Sequence, residues 1–583
     1  MAAQTARDSA DKVKTPFSRQ QRNQLLAWSK RAKKQNLLPP FERKILYEGG
    51  HYNYIFVSRL NRLSKTLEML VGHFDDESDL VREIKNVGYC CYLEAKSEAG
   101  DPEAQYSLAD ALYYGLFDLD ENEERALYWM AKASEPGNPE AECELAKWYC
   151  FGLCGLEEDE QKALKILEGA IERGSARAQD LLAGWYQSGI SVEQDFEKAY
   201  DLFSKASSSG LDDGTFHLAQ CYEDGEGTKI DPGKAFEIMK ALAGSGYVPG
   251  MRRLGHYYFD GIGTDENRTE ALNWWHQAAE LKDDFSIYNI GECYWFGHGV
   301  GEDDEQAFTY FKQASELGNI QADHYLGLMH FSGRGCEEDD EKAFSYFSMA
   351  AEGGVEASNY NLGLCYYFGI GCDQDYSEAH KCFDLAKEIN SNALFFLGEC
   401  ARNGTGRKRS YEDAFEFYIQ AAEKENGKAQ MAIGRAFYVG EGIREDDVEA
   451  VKWLELAVSQ ENSYAEYLLG ECYFQGIGVA ENEAKGITLL RKAAGSGETE
   501  ALHMLHELGY DLEEELVAEL SDEGENVVGI HLDPVSRAKA LYSKTVEKLL
   551  DSDQEKTGAN VIQLSIIGTE RIEALMSSNE GEN

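Results

Sequence analysis

Along most of the chain, apolar and polar positions recur in blocks of 35 to 37 residues. The blocks start at Ala104, Ala141, Ala178, Gly214, Gly250, Ser286, Ala322, Ser358, Ala393, Ala429 and Ala465, with a half block at Ala501. Four residues in stands Leu or Ile, as at Leu108, Leu254, Ile290 and Leu469. Four further on, most blocks place an aromatic, as at Tyr149, Tyr258, Tyr294 and Tyr473. Such an i, i+4 pair is the buried stripe of an amphipathic helix, here helix A. A glycine then closes helix A in all eleven blocks, from Gly115 to Gly476, where a left-handed residue ends a helix. A second glycine two residues on runs from Gly227 to Gly478, but the first three blocks have Phe117, Cys154 and Ser191 instead. Acidic residues follow, and then a helix B marked by one alanine, from Ala126 to Ala450, with Gly486 as the exception in block eleven. The pattern predicts paired antiparallel helices without strands over residues 104–510.

Just after the Leu of helix A sits Ala or Gly, including Gly255, Gly291, Gly327, Gly363, Gly398, Gly434 and Gly470. A mid-helix glycine costs up to about 1 kcal/mol, so its recurrence implies backbones packed too closely for a larger side chain.

These Leu-Gly, Tyr, Gly-x-Gly and Lys-Ala positions closely resemble the Sel1-like repeat, a relative of the tetratricopeptide repeat about two residues longer in its A–B loop. The resemblance covers roughly residues 82–510. It implies an all-α, right-handed superhelical solenoid of about eleven helix-turn-helix repeats, with helix A lining the concave side, and a role as adaptor or scaffold in multiprotein complexes. The physics points the same way, because a block of this size cannot bury its own apolar face and must stack on its neighbours.

Composition narrows the classes. The chain has 583 residues, 43% of them hydrophobic, which is too rich for a disordered acidic chain, and too many for one globular core. The net charge is −49. It is uneven: residues 1–70 carry 14 basic and 5 acidic residues, and the remainder is strongly acidic. An acidic body disfavours direct binding of nucleic acid and favours basic protein partners. No run approaches the roughly 20 apolar residues of a membrane span, and the first residues lack the apolar core of a signal peptide, so a cytoplasmic setting with reduced thiols is expected.

Three regions follow: a basic helical segment at 1–81, the solenoid at 82–510, and an acidic, helical extension at 511–583. In the first, a helix is predicted at 17–35, with Arg19, Arg22, Lys30, Arg31, Lys33 and Lys34 beside Leu25, Leu26 and Trp28. A lone B-type helix at 82–98 begins the stack, and another helix is expected near 535–551. The basic segment suits a nuclear-localisation-like patch, a membrane-surface helix, an intramolecular ligand of the acidic body, or a merely solvated helix.

The most informative positions are offsets two, six and nine of helix A, which fall about 180–240° around the axis, opposite the Leu/Tyr stripe. A solvated face would be polar there. Block five instead has Arg252, His256 and Phe259, and block six Tyr288, Glu292 and Trp295. Block seven has His324, Leu328 and Phe331, block eight Tyr360, Leu364 and Tyr367, and block eleven Tyr467, Glu471 and Phe474. Aromatics on a rigid groove suit a protein or peptide partner. The same rings also suit sealing the joint between adjacent hairpins, and both readings stay open.

Other features favour packing over chemistry. Acidic loop runs such as Glu302-Asp303-Asp304-Glu305 and Glu337-Glu338-Asp339-Asp340-Glu341 suit N-caps of helix B, or else a basic partner. Cys221, Cys293, Cys365, Cys400 and Cys472 all fall at offset seven, beside the core stripe. No CxxC occurs, His503 and His506 lack a third metal ligand, and no nucleophile–base arrangement stands out, so neither cofactor nor metal is expected. The sequence is best read as a non-enzymatic adaptor binding protein or peptide partners in its concave groove. The alternatives are an enzyme or regulatory subunit active through its terminal segments, and an acidic decoy for nucleic-acid-binding proteins.

Overall fold

The computed structural model of the chain describes residues 90, 93, 94 and 96–510. The predicted basic segment, most of the helix at 82–98 and the extension at 511–583 lie outside the described residues. Among the described residues every regular element is a helix and no strand occurs, as the repeat pattern predicts.

The chain divides into two compact units, Met1–Asn267 and Arg268–Asn583. The first holds α1 (Pro102–Tyr113), α2 (Glu123–Ser134), α3 (Pro139–Phe151), α4 (Glu160–Glu172), α5 (Ala176–Ser188), α6 (Phe196–Ser208), α7 (Asp212–Asp224), α8 (Pro232–Gly244) and α9 (Val248–Asp260). The second begins with α10 (Arg268–Glu280), α11 (Asp284–Phe296), α12 (Asp304–Glu316), α13 (Ile320–Ser332), α14 (Asp340–Glu352), α15 (Glu356–Phe368) and α16 (Tyr376–Ala386). It continues through α17 (Ser391–Asn403), α18 (Tyr411–Glu423), α19 (Gly427–Val439), α20 (Asp447–Val458), α21 (Ser463–Gln475), α22 (Glu483–Gly495) and α23 (Thr499–Glu507). Odd numbers are A helices and even numbers B helices. Within each unit, an A helix packs on its own B helix and on the B helix before it.

Local chemistry sets these boundaries. The loop acids act as caps: Asp159, Asp303 and Asp339 accept from the backbone N–H of Lys162, Gln306 and Lys342 at 2.9–3.0 Å, satisfying a free amide at the start of each B helix. Asn138, Asn319, Asn426 and Asn462 do the same for A helices. The B-helix alanines Ala163, Ala307, Ala343 and Ala450 are fully buried at the hairpin crossing.

The two loop glycines differ in what they do. Gly369, with φ +71, ends α15 in the left-handed region, and a Cβ there would meet Gln374 and the Cys372 carbonyl oxygen at ordinary distances. Gly371, with φ +67, lies directly on the preceding hairpin, where a Cβ would come 2.0 Å from the carbonyl oxygen of Asp340. The second glycine is therefore the one that seats each hairpin on its neighbour. In the first three repeats, Phe117, Cys154 and Ser191 adopt the same left-handed backbone with side chains in place, at φ of 55 to 58°.

The mid-helix glycines correct one expectation in part. At Gly291, Gly327, Gly363 and Gly398 the close neighbour is an aromatic ring from helix B of the same hairpin, while at Gly434 and Gly470 the helix-B backbone also comes to 3.2 Å of where a Cβ would sit, as expected. A Cβ at Gly327 would sit 2.6 Å from the Phe347 ring, and one at Gly398 would sit 2.3 Å from the Tyr418 ring.

Candidate functional site

The offset two, six and nine positions lie where an A helix meets the hairpins on either side, and they are more covered than a freely displayed stripe. In the second unit, Trp295, Phe331 and Leu364 are buried, at 2%, 5% and 2% exposure. Tyr288, Glu292, His324, Leu328, Tyr360 and Tyr367 are half-buried, as are Tyr467, Glu471 and Phe474 on α21. In the first unit, Arg252, His256 and Phe259 on α9 are half-buried.

Trp295 is held from above. The Arg334 guanidinium lies 3.8 Å from the centre of the indole and donates to the Trp295 carbonyl at 3.2 Å, while its Nε pairs with Asp304 Oδ1 at 2.6 Å. The ring is thus a wedge between hairpins, with its face already used by a cation. Tyr360 and Tyr367 pack against Phe383 and Phe396 with ring centres 5.4–6.3 Å apart.

Glu292 occupies a different kind of position. Tyr288 donates to Glu292 Oε1 at 2.7 Å from the same helix, and Tyr325 donates to the same oxygen at 2.9 Å from α13. Burial pushes the Glu292 carboxyl above the usual carboxylate range, and the two hydroxyls oppose that shift. Burial, reinforced by Glu292, raises both phenols. Next to this network, His324 Nδ1 meets Ser358 Oγ at 2.8 Å, and burial lowers the imidazole to about 4, so it is neutral near pH 7. The A helices of repeats six to eight contain no lysine or arginine.

Offset three is the position that sequence reasoning missed. Tyr325 stacks on Phe311 of the preceding B helix at 4.6 Å and 14°, and Phe396 stacks on Phe383 at 5.1 Å and 16°. These rings cover much of what offsets two and nine would otherwise show. The signal was present, because an aromatic at offset three falls on the flank facing the previous hairpin.

The remaining candidates are structural. The offset-seven cysteines are buried free thiols, and burial pushes Cys221, Cys293 and Cys472 up to about 12. His503 and His506 are exposed on α23, and no cluster of metal-ligating side chains occurs among the described residues. No helix among the described residues is long and apolar enough to cross a membrane.

This architecture defines a solenoid of helical hairpins. The Sel1 repeat pattern matches eleven consecutive segments, 102–138, 139–175, 176–211, 213–247, 248–283, 285–319, 320–355, 357–390, 391–426, 427–462 and 463–498, and the chain belongs to the Sel1 repeat family. Among solved structures it is similar to c5321, a protective antigen of uropathogenic Escherichia coli displaying an SLR fold. The two are 23% identical with a TM-score of 0.53, covering 81% of this chain and 99% of that one, a likeness of fold. A Sel1 repeat protein from Oxalobacter formigenes is 27% identical over 53% of this chain and 89% of its own, with a TM-score of 0.39. No curated protein matches the sequence.

Proposed function

We propose that the protein is a non-enzymatic scaffold that binds protein or peptide partners along the helix-A stripe. The contacts come from Tyr288, Glu292, His324, Tyr360 and Tyr367 in the second unit, from Tyr467 and Phe474 near its end, and from Arg252, His256 and Phe259 in the first. Trp295 and Phe331 support this surface from beneath. The observation that carries the reading is the aromatic stripe on three successive A helices, half-buried and centred on one carboxylate. Rigid tyrosines around a polar group are what partner hot spots are made of. Free thiols at all twelve described cysteines suit a reducing, cytoplasmic setting.

The test is a double substitution, Tyr288→Ala with Tyr367→Ala, in the full chain. Partners captured by the wild type are identified, purified and titrated against both proteins, and melting is followed on the same samples. Each hot-spot ring contributes about 2 kcal/mol or more, so affinity should fall by roughly two orders of magnitude or more. Unimpaired binding together with a large loss of stability rejects the reading, because the rings would then be packing alone.

A further inference from the structure

Two buried glutamates, Glu142 and Glu466, and two half-buried ones, Glu223 and Glu399, come with a cation. Glu142 pairs with Arg173, Glu223 with Arg253, Glu399 with Arg402 at 3.0 Å and Glu466 with Lys492 at 2.5 Å. The pattern has a physical cause: a carboxylate taken from water is costly unless an opposite charge and hydrogen bonds replace the lost hydration.

Glu292 breaks the pattern. Its partners are two tyrosine hydroxyls, both on Oε1, and among the described residues no lysine or arginine reaches it. The A helix that carries it and the two that follow bring no cation either. Other carboxylates also lack a cation: Asp110 is half-buried with Glu144 as its charged neighbour, Glu226 takes the side-chain amide of Gln187 at 2.6 Å, and two more are satisfied in other ways. Asp323 is 4% exposed and closed off by the Ser315 hydroxyl. Glu471 takes the side-chain amide of Gln475, an exposed residue, at 3.0 Å. Glu292 is half-buried rather than closed, and its two tyrosines pack on each other, with Trp295 edge-on to Tyr325. A partly open carboxylate to which its own chain brings no cation is a receptor for a charged donor from outside, through a charge-assisted hydrogen bond.

We propose that Glu292, with Tyr288 and Tyr325 fixing one of its oxygens, receives a lysine or arginine side chain of a bound peptide. The assignment rests on the partner-binding reading above and gives that surface its specificity: one basic residue at a fixed register, among positions chosen by the neighbouring rings. The chain's general acidity does not supply this, because an exposed acidic loop attracts any basic segment without register and is screened by salt.

A phage library of random dodecapeptides, selected on the full chain, tests this. Peptides selected on the wild type should share one position held by Lys or Arg, and changing that residue to norleucine in the synthetic consensus peptide should weaken binding at least tenfold. Selection on Glu292→Gln should lose the basic position while keeping the flanking preferences, since glutamine still accepts from both tyrosines and only the charge is gone. Glu305→Gln, the same charge change on an exposed B-helix residue, should leave the selection as in the wild type. Peptides enriched without a fixed basic residue, or with the same basic residue on Glu292→Gln, overturn the assignment and leave the partner-binding reading standing. No enrichment on the wild type overturns both.

Discussion

The A helices of repeats three to five and those of repeats six to eight are built alike, thirteen residues each with a left-handed glycine cap, yet they are joined to their neighbours in opposite ways. In repeats three to five the joints are ionic. Arg177 meets Asp213, His217 meets Asp180 at 2.7 Å, and Glu223 takes both Arg253 and the hydroxyl of Tyr257. In repeats six to eight the A-helix joints are mainly aromatic, with stacked pairs Phe311–Tyr325 and, into repeat nine, Phe383–Phe396; Glu292 has hydroxyls but no cation, while the Arg334–Asp304 ion pair joins the loop of repeat seven to α12. A repeat scaffold needs only its leucine stripe, its caps and its small residues at the hairpin crossing; the joint is free to vary. Where the joint satisfies itself with ion pairs, little is left over for a partner. Where it is aromatic and leaves a carboxylate without a cation, the proposed partner surface finds its place.

The largest expected effect separates repeat eight from repeat three at one register position. Gly371→Ala forces a Cβ to within 2.0 Å of the Asp340 carbonyl oxygen at a φ that alanine disfavours. We expect a loss of roughly 2–4 kcal/mol in chemical denaturation of the second unit. Ser191 holds the same position in repeat three with its side chain already accommodated, 3.0 Å from Cys150 Sγ. Ser191→Ala should cost about 1 kcal/mol or less. Equal losses at the two sites would mean that repeats three and eight seat on their neighbours alike.

Next in size is the pH response of the aromatic region. Burial holds His324 at about 4, below the 6.5 of an unfolded histidine. The unfolded chain therefore binds the extra proton first, and stability falls as pH drops from about 6.5 towards 4, by up to roughly 3 kcal/mol at the acid end. His324→Gln should flatten the melting curve across that window. A wild-type slope that survives the substitution would place the titrating group elsewhere.

These contrasts also mark how far the sequence could be read. The repeat count, the glycine caps, the acidic N-caps and the buried alanines were legible because each is fixed by one residue type at one spacing. The state of the stripe was not. Helical periodicity places Trp295 and Phe331 around the axis of their own helix, but it does not say how far the next hairpin leans over them. For Trp295 that depends on Tyr325 and Arg334, which come from the following repeat. The same limit explains the mid-helix glycines: spacing showed that space was needed at Gly327 and Gly398, while the occupants, the rings of Phe347 and Tyr418, come from helix B.

A smaller effect converts one region into the other. Arg253→Ala leaves Glu223 with the Tyr257 hydroxyl, 2.6 Å away, as its remaining partner, much as Glu292 is held by tyrosines. Removing the cation from a largely buried pair should destabilise the first unit by about 1–3 kcal/mol, less than for a closed pair because the Arg253 side chain is 34% exposed. Restoring most of that loss with a second change, Glu223→Gln, would show that the unmatched charge, and not the missing arginine stem, carries the cost. A double variant as unstable as Arg253→Ala would assign the loss to packing against the Tyr257 ring.

The smallest expected effect is the most informative, because its sign follows from the unmatched charge. Burial raises the Glu292 carboxyl above its unfolded value, so the folded chain holds the proton over a range of pH in which the unfolded chain has already lost it. Its contribution is therefore most favourable in acid, below the ordinary carboxylate range, and is lost as pH rises through the folded value. Glu292→Gln keeps an acceptor for both tyrosines and cannot ionise. The variant should therefore melt no lower than the wild type at pH 7, and its relative stability should decline as the pH is taken down to about 4, where the wild-type carboxyl is itself neutral. Glu399→Gln, which leaves Arg402 only the longer contact to Glu441 at 4.0 Å, should instead lower the melting temperature at pH 7. If Glu292→Gln melts well below the wild type at pH 7, with the gap widening as pH rises, the charged form is stabilised within the fold, and the difference between the ionic and aromatic regions is one of residue type alone.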